Sequence, residues 1–202
     1  MRDRLEPALS GRPGRRLTGA DWEAIVGPEG PIGPVAEDLL GPEARPVRIV
    51  AFDKTSDTNW SVAWHQDRTI AVCERINIDG FGPWSTKDGI PHVAPPVGIL
   101  EGMVTLRLHL DDCSDDNGPL RVALGSHRLG VVAADRASET AATLPIIACH
   151  AKAGDVWAYA TLILHASERS RGAGRRRVLQ VDYAAVDLPG GLEWYCVKPE
   201  RG

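Results

Sequence analysis

The chain reads as a mainly β protein, a double-stranded β-helix of the jelly-roll or cupin-like kind with a few short flanking helices. Three observations predict this class. Short aliphatic and β-branched runs recur from Arg48 to Ala184, separated by clusters of Gly, Pro, Asn and Asp. One of them, Met103 to Leu110, alternates cleanly: Val104, Leu106, Leu108 and Leu110 share one face, and Thr105, Arg107 and His109 the other. About eight such short strands with turns between them suit a closed double sheet.

The 202 residues allow one well-buried core, so a single domain over 1–202 is expected. A formal net charge of -4 gives no reason to expect a nucleic-acid partner. No stretch approaches the ~18 uninterrupted apolar residues needed to span a bilayer. Met1 to Arg16 is polar and Arg-rich without the apolar segment of a secretory signal. Cys73, Cys113, Cys149 and Cys196 form no CxxC pair and read as reduced thiols, which points to the cytoplasm.

Residues 1–45 read as a helical capping segment, beginning with a loose or capping arm over 1–20. Thr18 is a candidate N-cap for a helix over Asp21 to Val26, which Gly27-Pro28 ends. Pro34 to Leu40 fits a second helix, with Pro at its start and Gly41 after its end. Arg48 to Phe52 is the first strand, and Trp60 to His65 the next. Residues 74–98 are rich in Gly and Pro and carry Phe81 and Trp84, the composition of an active-site lid. The Met103 strand, a turn at Asp115 to Gly118 and Leu120 to Leu124 read as a hairpin. Ile146 to Cys149, Val156 to Ala160, Thr161 to Ser167 and Arg177 to Ala184 complete the strands.

Trp64-His65-Gln66-Asp67 is the stretch with chemistry in it. On an extended chain His65 and Asp67 share a face. An imidazole and a carboxylate there are two thirds of a 2-His-1-carboxylate set, which holds Fe(II) and leaves positions open. His109-Leu110-Asp111 has the same spacing, but Asp111 opens an acidic turn, so His109 reads as a barrel-lining residue. The third ligand should be a His near the end of a later strand, and His165 fits. The triplet Arg175-Arg176-Arg177 opens a strand after it, and one guanidinium there suits a carboxylate partner. Gly125-Ser126-His127 reads as a tight turn with its His outside the site.

The ordered set Trp64-His65-Gln66-Asp67, Asp116-Asn117-Gly118-Pro119-Leu120, Gly125-Ser126-His127, Gly154-Asp155, His165-Ala166-Ser167 and Arg176 resembles the phytanoyl-CoA dioxygenase family. Tyr183-Ala184-Ala185 and Leu188-Pro189-Gly190-Gly191-Leu192 are similar to a compact bacterial branch of it. Leu124 stands where that family usually has Pro, and Arg169-Ser170 where an Asn is frequent. The resemblance implies that His65, Asp67 and His165 bind Fe(II), that Arg176 and Ser167 bind 2-oxoglutarate, and that Arg107 lines its pocket. Phe81, Trp84 and Thr105 are candidate substrate contacts. The implied activity uses O2 and 2-oxoglutarate to hydroxylate a small molecule. Related halogenases lack the carboxylate that Asp67 supplies here. Desaturation, epoxidation or cyclisation by the same centre, and a non-catalytic metal-binding cupin-like module, are the alternatives.

Overall fold

The structure is a computed structural model that describes residues 2–9, 13–172 and 174–195. Cys196 lies outside them, as do Met1 and residues 10–12 of the N-terminal arm. In chain order the elements are α1 (Arg2–Leu9), β1 (Gly14–Leu17), α2 (Glu23–Val26), α3 (Gly33–Leu40), β2 (Arg45–Lys54), β3 (Val62–His65), β4 (Ile70–Ala71), β5 (Trp84–Lys87) and β6 (Ile90–Val93). They continue with α4 (Val97–Glu101), β7 (Met103–His109), β8 (Leu120–Ala123), α5 (Ala137–Ala142), β9 (Ile146–Cys149), β10 (Val156–Ala160), β11 (His165–Ser167) and β12 (Arg176–Ala184).

Two antiparallel sheets carry the fold. The larger has the order β1-β2-β12-β7-β10 and the smaller β3-β11-β8-β9, while β4-β6-β5 form a third sheet. From β7 onward the chain passes back and forth between the two main sheets, with β8 and β9 consecutive in the smaller one, which is the winding of a double-stranded β-helix. The mainly β class with a few short helices is what the alternating runs lead one to expect. Among the described residues no helix is long and apolar enough to cross a membrane.

The alternation in the large sheet separates two environments. Ile49, Ala51, Val104, Leu106, Leu108, Leu179, Val181 and Tyr183 face outward and pack with Leu5, Leu9, Trp22, Ile25, Val26, Ile32 and Ala36 of the N-terminal segment. The opposite face of the same strands carries Arg48, Val50, Phe52, Arg107 and Gln180, which border a cavity closed on its other side by Val62, His65, Leu120 and His165. The apolar core therefore lies between sheet and helices. The barrel interior is the polar compartment.

Several expectations are corrected. Of the two readings of the arm the loose one falls and the capping one agrees with the packing: α1 buries Leu5 and Leu9, one helical turn apart, and β1 pairs with β2 from Gly14↔Phe52 to Leu17↔Ile49. Thr18 is exposed and caps nothing; the second helical stretch begins with a 3-10 turn at Ala20–Trp22 and has no side-chain cap. β7 and β8 do not form a hairpin, because β10 and β12 occupy both edges of β7 and send β8 to the other sheet. Only His165–Ser167 of the 161–167 run is strand. Residues 74–98 are not irregular throughout: β5 and β6 pair across Asp88-Gly89, both at positive φ (52° and 79°), as a two-residue hairpin turn requires.

Candidate metal centre and anion pocket

β3 and β11 pair so that His65 stands directly opposite His165, with ring centroids 4.2 Å apart. Asp67 follows β3 by two residues. The ligand atoms of His65, Asp67 and His165 all lie within 4.8 Å of one another. Each histidine is fixed by its own backbone: His65 Nδ1 is 2.8 Å from the carbonyl of Ala63, and His165 Nδ1 2.9 Å from that of Ile163. A carbonyl only accepts, so Nδ1 carries the proton and Nε2 presents its lone pair. Burial lowers the His165 pKa to about 4, against the attraction of Asp67, so the ring is neutral at pH 7.

Arg48 sets the carboxylate. Its Nη2 donates to Asp67 Oδ2 at 2.6 Å and its Nε to Asp182 Oδ2 at 2.5 Å. Gln180 Nε2 also reaches Asp67 Oδ2 at 3.2 Å, which leaves Oδ1 to face a metal. Burial opposes the charge on Asp67, but Arg48, His165 and His65 outweigh it and hold the carboxyl well below its usual range. Two imidazoles that present Nε2 and one ionised carboxylate are the donor set that a divalent non-haem iron takes. The residues fit that metal.

The same cavity, of about 300 Å³, holds Arg107, Ser167 and Arg176. The register resolves the arginine triplet. Arg175 pairs with Asp53 and Glu6, and Arg177 with Asp111 and Glu6, on the outer face. Arg176, between them, turns inward and is 3% exposed, with Nε and Nη1 buried and unpartnered. Burial, with Arg107 nearby, lowers its pKa to about 10. Arg107 donates to Gln180 Oε1 at 2.6 Å, yet its Nε is also buried without a partner, as is the Tyr159 hydroxyl. Lys54 stands opposite Arg176 on β2, fully buried; its Nζ donates to the Glu168 carbonyl at 2.7 Å and lies 5.1 Å from the Trp60 ring. Buried cations without carboxylates are costly unless an anion arrives. A dicarboxylate such as 2-oxoglutarate answers that demand.

The remaining sequence expectations distribute as follows. His109 does line the interior, buried with both ring nitrogens unpartnered, while Asp111 is taken by Arg177, so that pair forms no ligand set. Ser126 holds the turn, donating to the Ala123 carbonyl and accepting from the Leu164 amide just before His165. Thr105 faces inward but bonds Asp182 and Thr161, supporting the Arg48 network and not bordering the cavity. Phe81 and Trp84 pack against the cluster of Ile70, Val72, Val93, Leu100 and Trp194; Lys87 is the residue of 74–98 that reaches the cavity. Sequence reading missed Arg48, Lys54, Lys87, Tyr159 and Gln180. The signal for three of them was present: Arg48 and Lys54 in β2 and Gln180 in β12 are polar residues at alternate positions of otherwise apolar strands.

Fold and triad together make a candidate 2-His-1-carboxylate site inside a double-stranded β-helix. The phytanoyl-CoA dioxygenase family model matches residues 32–178, and the chain belongs to that family. An L-proline trans-4-hydroxylase from Streptomyces griseoviridis is 28% identical over 181 residues, covering 75% of this chain and 59% of the relative. The chain thus spans about three fifths of that relative's length. Among solved structures, EctD from S. alaskensis with bound Fe superposes with a TM-score of 0.55 at 23% identity, over 81% of this chain and 52% of that one. EctD with 2-oxoglutarate and 5-hydroxyectoine gives 0.54 at 23%, over 75% and 48%. SnoN, a non-heme alpha ketoglutarate dependent epimerase from nogalamycin biosynthesis, gives 0.54 at 19%, over 84% and 66%. These likenesses establish the shared fold.

Proposed function

We propose that this chain is an Fe(II)- and 2-oxoglutarate-dependent dioxygenase that hydroxylates a C–H bond of a small molecule, releasing succinate and CO2. The observation that carries the reading is the presence, in one cavity, of the His65–Asp67–His165 triad and the Arg176 guanidinium, whose buried Nε and Nη1 have no partner. Iron, once bound, supplies the activation of O2 coupled to decarboxylation of the co-substrate. The chain's own residues do the rest. Arg176 and Ser167 grip the far carboxylate, and Arg107 adds donors along the same wall. Arg48 keeps Asp67 ionised and oriented. The apolar surfaces of Val50, Phe52 and Leu120 exclude water from the reacting end. A metal-binding module without turnover has no use for buried, uncompensated cations beside its metal. The related hydroxylase supports hydroxylation as the outcome.

The test is anaerobic titration of metal-free protein with Fe(II) and 2-oxoglutarate, following the visible band of the chelate. His165→Ala is expected to abolish the band. Arg176→Gln is expected to retain iron but to weaken 2-oxoglutarate about tenfold to a hundredfold, the worth of one or two charge-assisted hydrogen bonds. Iron-loaded, folded protein that gives no band, and no succinate in air, would refute the oxygenase reading.

A further inference from the structure

The triad and the Arg107–Arg176 pair take up one part of the cavity. The lining also includes Arg16 from β1 and Lys87 from the end of β5, neither of which belongs to the triad or to the Arg107–Arg176 pair. Arg16 stands opposite Val50 in the β1–β2 register, so it faces the interior with Val50 and Phe52. Its Nη1 pairs with Asp88 Oδ2 at 2.9 Å on the half-exposed hairpin tip, while its Nε is buried and has no partner. Lys87 is partly buried, and its Nζ donates to the neutral Thr69 Oγ1 at 3.0 Å. Its ammonium lies within the electrostatic reach of Arg16, Arg48 and Asp67, which puts this second cationic group on the Asp67 side of the triad.

Charge decides what this part of the cavity takes. Arg15, Arg16, Arg48, Lys87, Arg107 and Arg176 line the cavity against a single carboxylate, Asp67. Asp67 and Asp182 answer Arg48, and Asp88 takes the Arg16 Nη1. The Lys87 ammonium meets the neutral Thr69 hydroxyl and the buried Arg16 Nε has no partner, so donors for an anion remain here beside a loaded metal and co-substrate. A guanidinium and an ammonium facing one space suit the two oxygens of a carboxylate. The cavity of about 300 Å³ is at the small end for ligand sites and already houses the co-substrate, which limits the second ligand to a small molecule.

We infer that the substrate is a small carboxylic acid whose carboxylate docks between Arg16 and Lys87, holding the rest of the molecule toward the triad. This inference rests on the oxygenase reading and deepens it. Its test is calorimetric, on protein loaded with Fe(II) and 2-oxoglutarate under nitrogen. The probes are a panel of short-chain aliphatic, hydroxy and amino acids, each beside its primary amide and the phosphate monoester of nearest length. At least one acid is expected to bind about tenfold or more tightly than its amide. Lys87→Gln and Arg16→Gln are expected to erase that preference and Lys87→Arg to keep it, with the 2-oxoglutarate band intact throughout. If no acid outbinds its amide, if the phosphate esters bind best, or if the preference survives in both Gln variants, the inference fails while the band still upholds the oxygenase reading. A wild-type protein without the band overturns both.

Discussion

Asp67 has one oxygen for a metal because Arg48 and Gln180 hold the other. Arg48 is buried with Asp67 and Asp182, and each ion so placed has lost several kcal/mol of hydration that the pairing must offset. Replacing Arg48 by Met leaves two carboxylates in the same interior with no cation between them. The expected outcome is a loss of ~3–5 kcal/mol in the metal-free protein. A divalent metal is then the one replacement cation at Asp67, so added Mn(II) should raise the denaturation midpoint of Arg48→Met more than that of wild type. Urea unfolding with and without the metal measures both; equal increments would mean that Arg48 does not share Asp67's charge. The His65–Asp67 pair was legible because a two-residue spacing on an extended chain fixes a shared face, although β3 itself ends at His65. Arg48 was not, because its partners lie 19 and 134 residues away in sequence, and the Asp182 pairing exists only through the β2–β12 register.

Elements show where local pattern suffices and where neighbours overrule it. Gly33–Leu40 forms with Pro34 in its first turn and Gly41 at φ 91° after its last, as those residues dictate. The β7 alternation is fully expressed, although both of its faces are buried. Two hairpins went the other way. Asp88-Gly89 carried the turn signal for β5–β6 inside a stretch whose Gly and Pro content reads as loop, while the Asp115–Gly118 turn joins strands of different sheets. Turn residues establish that the chain reverses, not which strand will be free to pair. The arm is a similar case, since α1 has little apolar content beyond Leu5 and Leu9, and both are sealed against the large sheet. Leu9→Ala is expected to cost ~2–5 kcal/mol, the range for truncating a buried leucine. Denaturation of the variant measures this, and a change within ~0.5 kcal/mol would return the arm to the status of a loose segment. Because β1 follows α1 and carries Arg16, the same arm also closes one side of the cavity.

At the scale of the whole molecule, enclosing a polar interior makes stability depend on pH. His92, His109 and His165 are buried, and burial lowers each pKa to about 4, below the ordinary 6.5. Between those values the unfolded chain takes up a proton at each site and the native protein does not. Stability therefore is full above about pH 6.5 and is lost as pH falls toward 4. Three such groups give a limiting slope of ~4 kcal/mol per pH unit, since each proton contributes ~1.4. Asp182, whose carboxyl burial pushes up against the pull of Arg48, acts in the opposite sense, as one group against three. Asp67, held low, adds to the acid loss below the window of the histidines. Urea midpoints of the metal-free protein near pH 7, 6 and 5 are expected to fall steeply over the last interval. His92 is the clean control, because it sits on β6 with its Nδ1 on the Ile90 carbonyl and does not border the cavity. His92→Gln should reduce the slope by about a third and leave iron binding untouched. Midpoints that stay level from pH 7 to 5 would mean that the interior admits the proton, and with it the water that the proposed chemistry must exclude.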